Sequence, residues 1–153
     1  MPFLDWVNKA QAQRATADVP YHLLQFQSAH GAPESENLLI QGDNLLALKA
    51  LLPFYRGRVK CIFIDPPYNT QSAFAHYDDK LEHSQWLSMM WPRIVLLREL
   101  LSADGFIIFH IDDAESHYAK VLLDEVFGRS NYATSIYVQV RYTTKTLKSD
   151  MAY

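Results

Sequence analysis

Cys61-Ile62-Phe63-Ile64-Asp65-Pro66-Pro67-Tyr68-Asn69-Thr70 is a short apolar run that stops at an acid, two prolines and a tyrosine. Residues 61–64 are β-favouring and apolar on both faces. That pattern predicts a strand covered on both sides in a parallel sheet, rather than an alternating edge strand. The strand must end at Asp65, because Pro66 and Pro67 lack an N–H and fix φ, so neither ladder nor helix continues. The proline that follows also holds Asp65 extended. Two unladdered carbonyls, a carboxylate and the flat ring of Tyr68 remain. In open α/β sheets ligands sit beyond the carboxyl ends of the strands, so this turn is the candidate site.

Fixed acceptors beside an aromatic platform suit a planar group bearing an exocyclic amine. Adenine fits: one amino hydrogen can go to the Asp65 carboxylate and the other to the Pro66 carbonyl, while Tyr68 stacks on the ring. The DPPY motif resembles the catalytic loop of the amino-methyltransferases that act on nucleic-acid bases. The flanking text extends the likeness: VPYHLL at 19–24, LLIQGDNLLALKALLP at 38–53, VKCIFIDPPYNT at 59–70 and GFIIFHIDDAE at 105–115. Together they resemble the modification subunits of type III restriction systems and related adenine-specific DNA methyltransferases.

The resemblance implies an α/β fold, part of a Rossmann-like methyltransferase with a mostly parallel sheet flanked by helices. It implies transfer of a methyl group from S-adenosylmethionine to adenine N6 in double-stranded DNA, with the adenine flipped out of the duplex. Asp65, Pro66, Pro67 and Tyr68 would be catalytic, Tyr68 and Asn69 would meet the base, and Asp43, Asn44 and Asp65 would meet the cofactor. A restriction subunit and a homodimer are the partners it suggests for the complete protein. Cytosine N4 or another amine is the rival substrate. A non-catalytic remnant that binds DNA or the restriction partner is the rival of a different class.

Outward from the turn, Asn37 to Gln41 reads as a second strand stopped by Gly42-Asp43. Leu45, Leu46, Leu48, Leu51 and Leu52 then follow at helical spacing as far as Pro53. Asp43 suits two roles, as the cap of that helix or as a cofactor contact at a strand end. Residues 1–36 read as a helix over 3–13 followed by a covering arm, with Tyr21, Leu24 and Phe26 packed on the sheet. Residues 37–153 read as the catalytic part of the domain, incomplete at its carboxyl end.

Gln71 to His83 reads as a loop over the site, with Phe74, Tyr77, Asp78 and Asp79 as exposed candidates for base or backbone contact that suit ordinary loop packing better. Relatives usually carry glycine where this chain has Gln71. Ser84 to Leu101 predicts a long helix with a Met and Trp stripe in the core, kinked by Pro92. Ala103-Asp104-Gly105 predicts a turn, and Gly105 to Ile111 a buried strand. A helix from Asp112 to Phe127 follows, closed by Gly128, with Asp112 and Glu115 as a capping box. His110 reads as a satisfied rim histidine. Ala133 to Val140 predicts a last strand. Beyond Gly128, Arg129, Arg141, Lys145 and Lys148 interleave with tyrosines, a pattern that could follow a DNA backbone and equally suits a solvated face.

The 153 residues, 49% of them hydrophobic, support one domain with a real core. A net charge of −3 lends no support to nucleic-acid binding by the chain as a whole. The single cysteine, Cys61, reads as a buried hydrophobe in a reducing cytoplasm. No apolar run approaches a membrane span, and the six histidines show no paired metal-ligand spacing. The glycines at 31, 42, 57, 105 and 128 never form a GxG cofactor turn. The expectation is therefore the amino-terminal catalytic half of a longer enzyme, or a truncated reading frame, inactive alone.

Overall fold

A computed structural model describes residues 3–32, 34–69 and 82–138. Its elements run α1 (Lys9–Asp18), α2 (Asn44–Tyr55), β1 (Val59–Ile64), α3 (His83–Leu100), β2 (Leu101–Phe109), α4 (Asp113–Phe127) and a 3-10 turn (Arg129–Asn131). β1 and β2 pair in parallel, with α3 as the crossover between them.

Helix α3 is central because it is apolar on more than one face. Trp86, Leu87, Met90 and Ile94 join Ala119, Leu122 and Val126 of α4 in one cluster, against which Ile64 and Phe109 of the sheet pack. Leu96 and Leu100, on another face of α3, join Leu52 of α2 in a second cluster over Val59. The Met and Trp stripe is core, as expected. Pro92 lies inside α3 and is buried.

Only one face of the sheet is covered among the described residues. Ile62 is buried, whereas Cys61, Phe63, Phe106 and Ile108 on the opposite face are exposed, Phe63 by 64%. The expectations of a strand covered on both sides and of a buried Cys61 are thus corrected. Both helices that meet the sheet through the first cluster, α3 and α4, lie on the side of Ile64 and Phe109.

β2 begins earlier than the predicted turn. Val59 pairs with Leu101 and Cys61 with Phe106, so a step of two residues on β1 spans five on β2. The turn residues therefore form an irregularity inside the strand. Asp104 there takes the Ser102 hydroxyl at 2.8 Å and an ion pair with Lys60. Gly105 is required by close approach, since a Cβ at that position would stand 2.7 Å from the Val59 carbonyl oxygen.

The predicted strand over 37–41 does not form, and Leu39 is 99% exposed. An apolar run becomes a strand only against a partner edge, and no described strand pairs with this one. Residues 133–138 of the predicted last strand likewise form no ladder, and Ile136, Tyr137 and Val138 are exposed. Tyr21, Leu24 and Phe26 are also exposed rather than packed on the sheet, Tyr21 lying under the Lys49 ammonium at 5.0 Å.

The first helix is shifted from 3–13 to Lys9–Asp18. Asn8 at its start has φ 71°, a left-handed conformation that asparagine tolerates better than most residues. The preceding residues form a strap. The Leu4 N–H and the Lys9 ammonium both reach Glu125 on α4, at 2.5 and 2.8 Å, and Trp6 Nε1 donates to the Ser88 hydroxyl at 2.9 Å. No helix among the described residues is long and apolar enough to cross a membrane.

Candidate active site

The end of β1 delivers Asp65 as expected, and the end of β2 delivers a residue that the sequence did not mark for chemistry. Ile64 pairs with Phe109, and the His110 N–H continues the ladder to the Ile64 carbonyl at 2.9 Å. His110 therefore stands level with Asp65. Its Nδ1 lies 3.0 Å from Asp65 Oδ1 and 2.5 Å from the Tyr68 hydroxyl. A carboxylate only accepts, so Nδ1 carries the hydrogen of the first contact. The imidazole also stacks on Phe63 and meets the Tyr68 ring near-perpendicularly, with centroids 5.5 Å apart.

These contacts set the electrostatics. The Tyr68 hydroxyl and the His110 imidazole hold the Asp65 carboxyl below its ordinary range. Tyr68 moves the other way: its bond to the Asp65 carboxylate, then burial and the charges of Asp65 and Asp112, push the phenol up to about 12. Asp65 is thus an ionised acceptor whose side chain is still 57% exposed, with room to receive a further donor.

Two tethers hold the turn itself. Trp86, fully buried in α3, donates its Nε1–H to the Pro67 carbonyl at 2.8 Å. Of the carbonyls released by the two prolines, that one is therefore occupied, and no donor among the described residues reaches the Pro66 carbonyl. Asn69 adopts a left-handed backbone, φ 59°, and its side-chain amide donates to Glu115 at 2.6 Å.

Glu115 departs from its expected role. The Asp112 carboxylate caps α4, accepting from the Ala114 N–H at 2.9 Å. The Glu115 side chain does not complete a capping box, because it is buried and accepts from Asn69 and from His83 Nδ1 at 2.8 Å.

Asp43 caps α2, its Oδ1 accepting from the Leu45 and Leu46 N–H groups at 2.9 and 3.2 Å. Arg93 of α3 takes Asn44 Oδ1 at 2.6 Å and lies 3.7 Å from Asp43 Oδ2, and burial lowers the pKa of its guanidinium. The structure thus joins Asp65, Tyr68 and His110 in one group, Asn69 to Glu115 in a second, and Asp43 and Asn44 to Arg93 in a third. Arg129 is exposed and lies 3.8 Å from Asp124. Arg141, Lys145, Lys148 and residues 71–81 of the predicted 71–83 loop, Phe74, Tyr77, Asp78 and Asp79 among them, lie outside the described residues, while His83 at the end of that loop already belongs to α3.

Residues 59–150 match the family model of N6 and N4 methyltransferases, described as a DNA methylase. The chain belongs to this DNA methylase family. It is 39% identical over 132 residues to a probable type III restriction-modification enzyme HindVI Mod subunit of Haemophilus influenzae, covering 86% of this chain and 17% of that one. It is 35% identical to the type III restriction-modification enzyme EcoPI Mod subunit of Escherichia phage P1, over 87% of this chain and 26% of that subunit. Against the type II methyltransferase M.EcaI of Enterobacter cloacae it is 39% identical, over 65% of this chain and 23% of the other. The chain therefore spans between about a sixth and about a quarter of the length of these curated relatives. The family implies a methyl donor, and the expected DPPY turn lies inside the matched segment.

Proposed function

We propose that the complete protein to which this chain belongs methylates adenine N6 in DNA, with S-adenosylmethionine as methyl donor. The carrying observation is the ionised, half-exposed Asp65 carboxylate at the end of β1, fixed by Tyr68 and His110 beside a Pro66 carbonyl that no described residue uses. An aromatic amine is a poor nucleophile because its lone pair is delocalised into the ring. Drawing its two hydrogens onto Asp65 and the Pro66 carbonyl favours a pyramidal nitrogen and stabilises positive charge as it develops there. The base must first leave the duplex, which costs a few kcal/mol, and stacking on Tyr68, worth about 1–3 kcal/mol, offsets it.

The donor's contribution is a methyl group, and no step through it follows from the described residues. Asp43 and Asn44, the proposed adenosine contacts, are held by the α2 cap and by Arg93, so as they stand they do not fit an adenosine. In that role they would have to exchange Arg93 for the ribose. A restriction subunit and a second copy of the protein are the proposed partners, in line with the Mod subunits among the relatives.

Incubating the complete protein with duplex DNA and methyl-labelled S-adenosylmethionine, then separating the nucleosides, tests the reading. Label in N6-methyl-2′-deoxyadenosine is the expected result. Label in N4-methyl-2′-deoxycytidine would move the activity to the other amine that two acceptors can hold, and no label in DNA would remove it.

A further inference from the structure

We propose that Glu115 is the positioning residue of the catalytic turn, acting through Asn69 to hold Tyr68 and Asp65 where the acceptor site needs them. The inference rests on the reading of Asp65 to Tyr68 as the methyl-acceptor site. Glu115 is fully buried at the start of α4, and only its Oε1 is partnered among the described residues, while Oε2 has no donor. A carboxylate in the first turn of a helix can stay in solvent and still favour the dipole. Burying it with an unsatisfied oxygen works against stability. What the burial achieves is convergence: Asn69, from just after the catalytic turn, and His83, from the start of α3, meet on one oxygen of α4.

Asn69 is the residue at which the chain turns away from Tyr68, and it does so with a positive φ that few side chains adopt. Its amide is bonded to Glu115 at 2.6 Å, while one residue before Tyr68 the Pro67 carbonyl is bonded to Trp86 at 2.8 Å. Tyr68 is thus clamped between two anchors, one on α4 and one on α3, and its hydroxyl reaches the His110 and Asp65 pair. Glu115 touches no atom of that pair. Its effect on chemistry passes through the backbone of residues 67–69.

The test uses the complete protein and four variants: Glu115→Ala, Glu115→Gln, Asn69→Ala and the Asn69→Ala/Glu115→Ala double. Glu115→Ala should lower kcat by about 100-fold, the scale of a misplacement of about 1 Å, with KM for DNA within about threefold. Glu115→Gln keeps an oxygen for Asn69 and His83 and should recover to within about tenfold of wild type. The double variant should be no slower than the slower single. Hydrogen exchange should accelerate over residues 62–70 in Glu115→Ala, match wild type in Glu115→Gln, and stay unchanged over 119–126. Multiplying effects in the double variant, or a Gln variant as damaged as Ala, would overturn the proposal. If Glu115→Ala does not fold, a folded Asn69→Ala must lower kcat by more than Glu115→Gln does, and Glu115→Gln must stay within about tenfold of wild type, or the proposal fails. If the wild-type protein transfers no methyl group, the functional reading falls, and exchange over 62–70 alone decides whether Glu115 holds the turn.

Discussion

Replacing Asp65 by Asn in the complete protein removes the charge while leaving the shape. The wild-type carboxylate accepts from the Tyr68 hydroxyl and from His110 Nδ1 and still has open lone pairs. The amide retains one accepting oxygen, now neutral, and its NH2 group cannot accept, so the bonds from Tyr68 and His110 lose their charge assistance and one acceptor position is gone. The substrate amine loses its charged acceptor as well. Removing a preorganised group aimed at developing charge costs about 10²–10³ in kcat, or about 2.7–4 kcal/mol, and Asp65→Asn should fall in that range. Asp65→Ala removes the acceptor outright and should be at least as slow. Folding should change little, because the side chain is more exposed than buried, and such substitutions usually stay within about 0.5 kcal/mol. Single-turnover transfer of labelled methyl groups beside a thermal melt measures both. Asp65→Asn within about tenfold of wild type would refute the assigned role. The pH dependence has a definite sign. The folded-state carboxyl lies below its ordinary 3.8, so its contribution is complete above that value and is lost only as pH falls through the depressed one.

Tyr68→Phe removes the hydroxyl shared by Asp65 and His110 and should slow methyl transfer by about tenfold, the scale of one hydrogen bond to a charged group. Tyr68→Ala also removes the ring and should be slower by a further 1–3 kcal/mol or so, and equal effects of the two variants would count against stacking. The Tyr68 phenol should titrate near 12, read as the phenolate absorbance of wild type minus Tyr68→Phe. Because its folded pKa is raised above 10.0, the hydroxyl's contribution is full below that pH and fades as pH rises toward about 12, and a difference transition at the ordinary value would contradict the Asp65 contact. Trp86→Phe leaves the Pro67 carbonyl without its donor inside a closed core and should destabilise by about 1–3 kcal/mol, measured by denaturant unfolding. An unchanged midpoint would mean that the tether carries no energy.

Local signals carried most of the helical layout. Of the two roles that suit Asp43, the cap is the one seen, Gly128 closes α4 with φ 88°, and the leucine spacing of 45–52 lies within α2. The strands were readable only where each had its partner. Residues 61–64 and 105–109 find each other, whereas 37–41, with Leu38, Leu39 and Ile40 at its centre, finds no described edge, and propensity alone does not distinguish these cases. The first helix was misplaced because Leu4 and Val7 suggested a helical face, although Val7 faces solvent and Leu4 is held in the strap by Glu125.

Within the candidate site, Asp65 and Tyr68 were legible because their chemistry stands in the text of one turn, and His110 was not. A signal for it existed. If the ends of KCIFI and GFIIF are set level in a parallel pair, the next residues are Asp65 and His110. Glu115 offered no such signal, since an acid three places after Asp112 has the spacing of a capping box, and only the position of Asn69 shows where its side chain goes.

The buried partners also separate two kinds of sensitivity that a list of site residues would merge. Asp65 acts outward from a strand end, so its loss should be felt in rate alone. Trp86 and Glu115 reach the same turn from inside the molecule, Trp86 as a member of the main apolar cluster and Glu115 from the helix that carries Ala119, Leu122 and Val126 of that cluster. A change that loosens α3 against α4 should therefore move Pro67 and Asn69 before it unfolds the chain, because both anchors depend on how those two helices meet. Packing at Leu122, fully buried and distant in sequence from the turn, is then a determinant of the geometry at Tyr68 as well as of stability. The parallel β1–α3–β2 unit sets Asp65 beside His110, and the α3–α4 interface holds the turn between them.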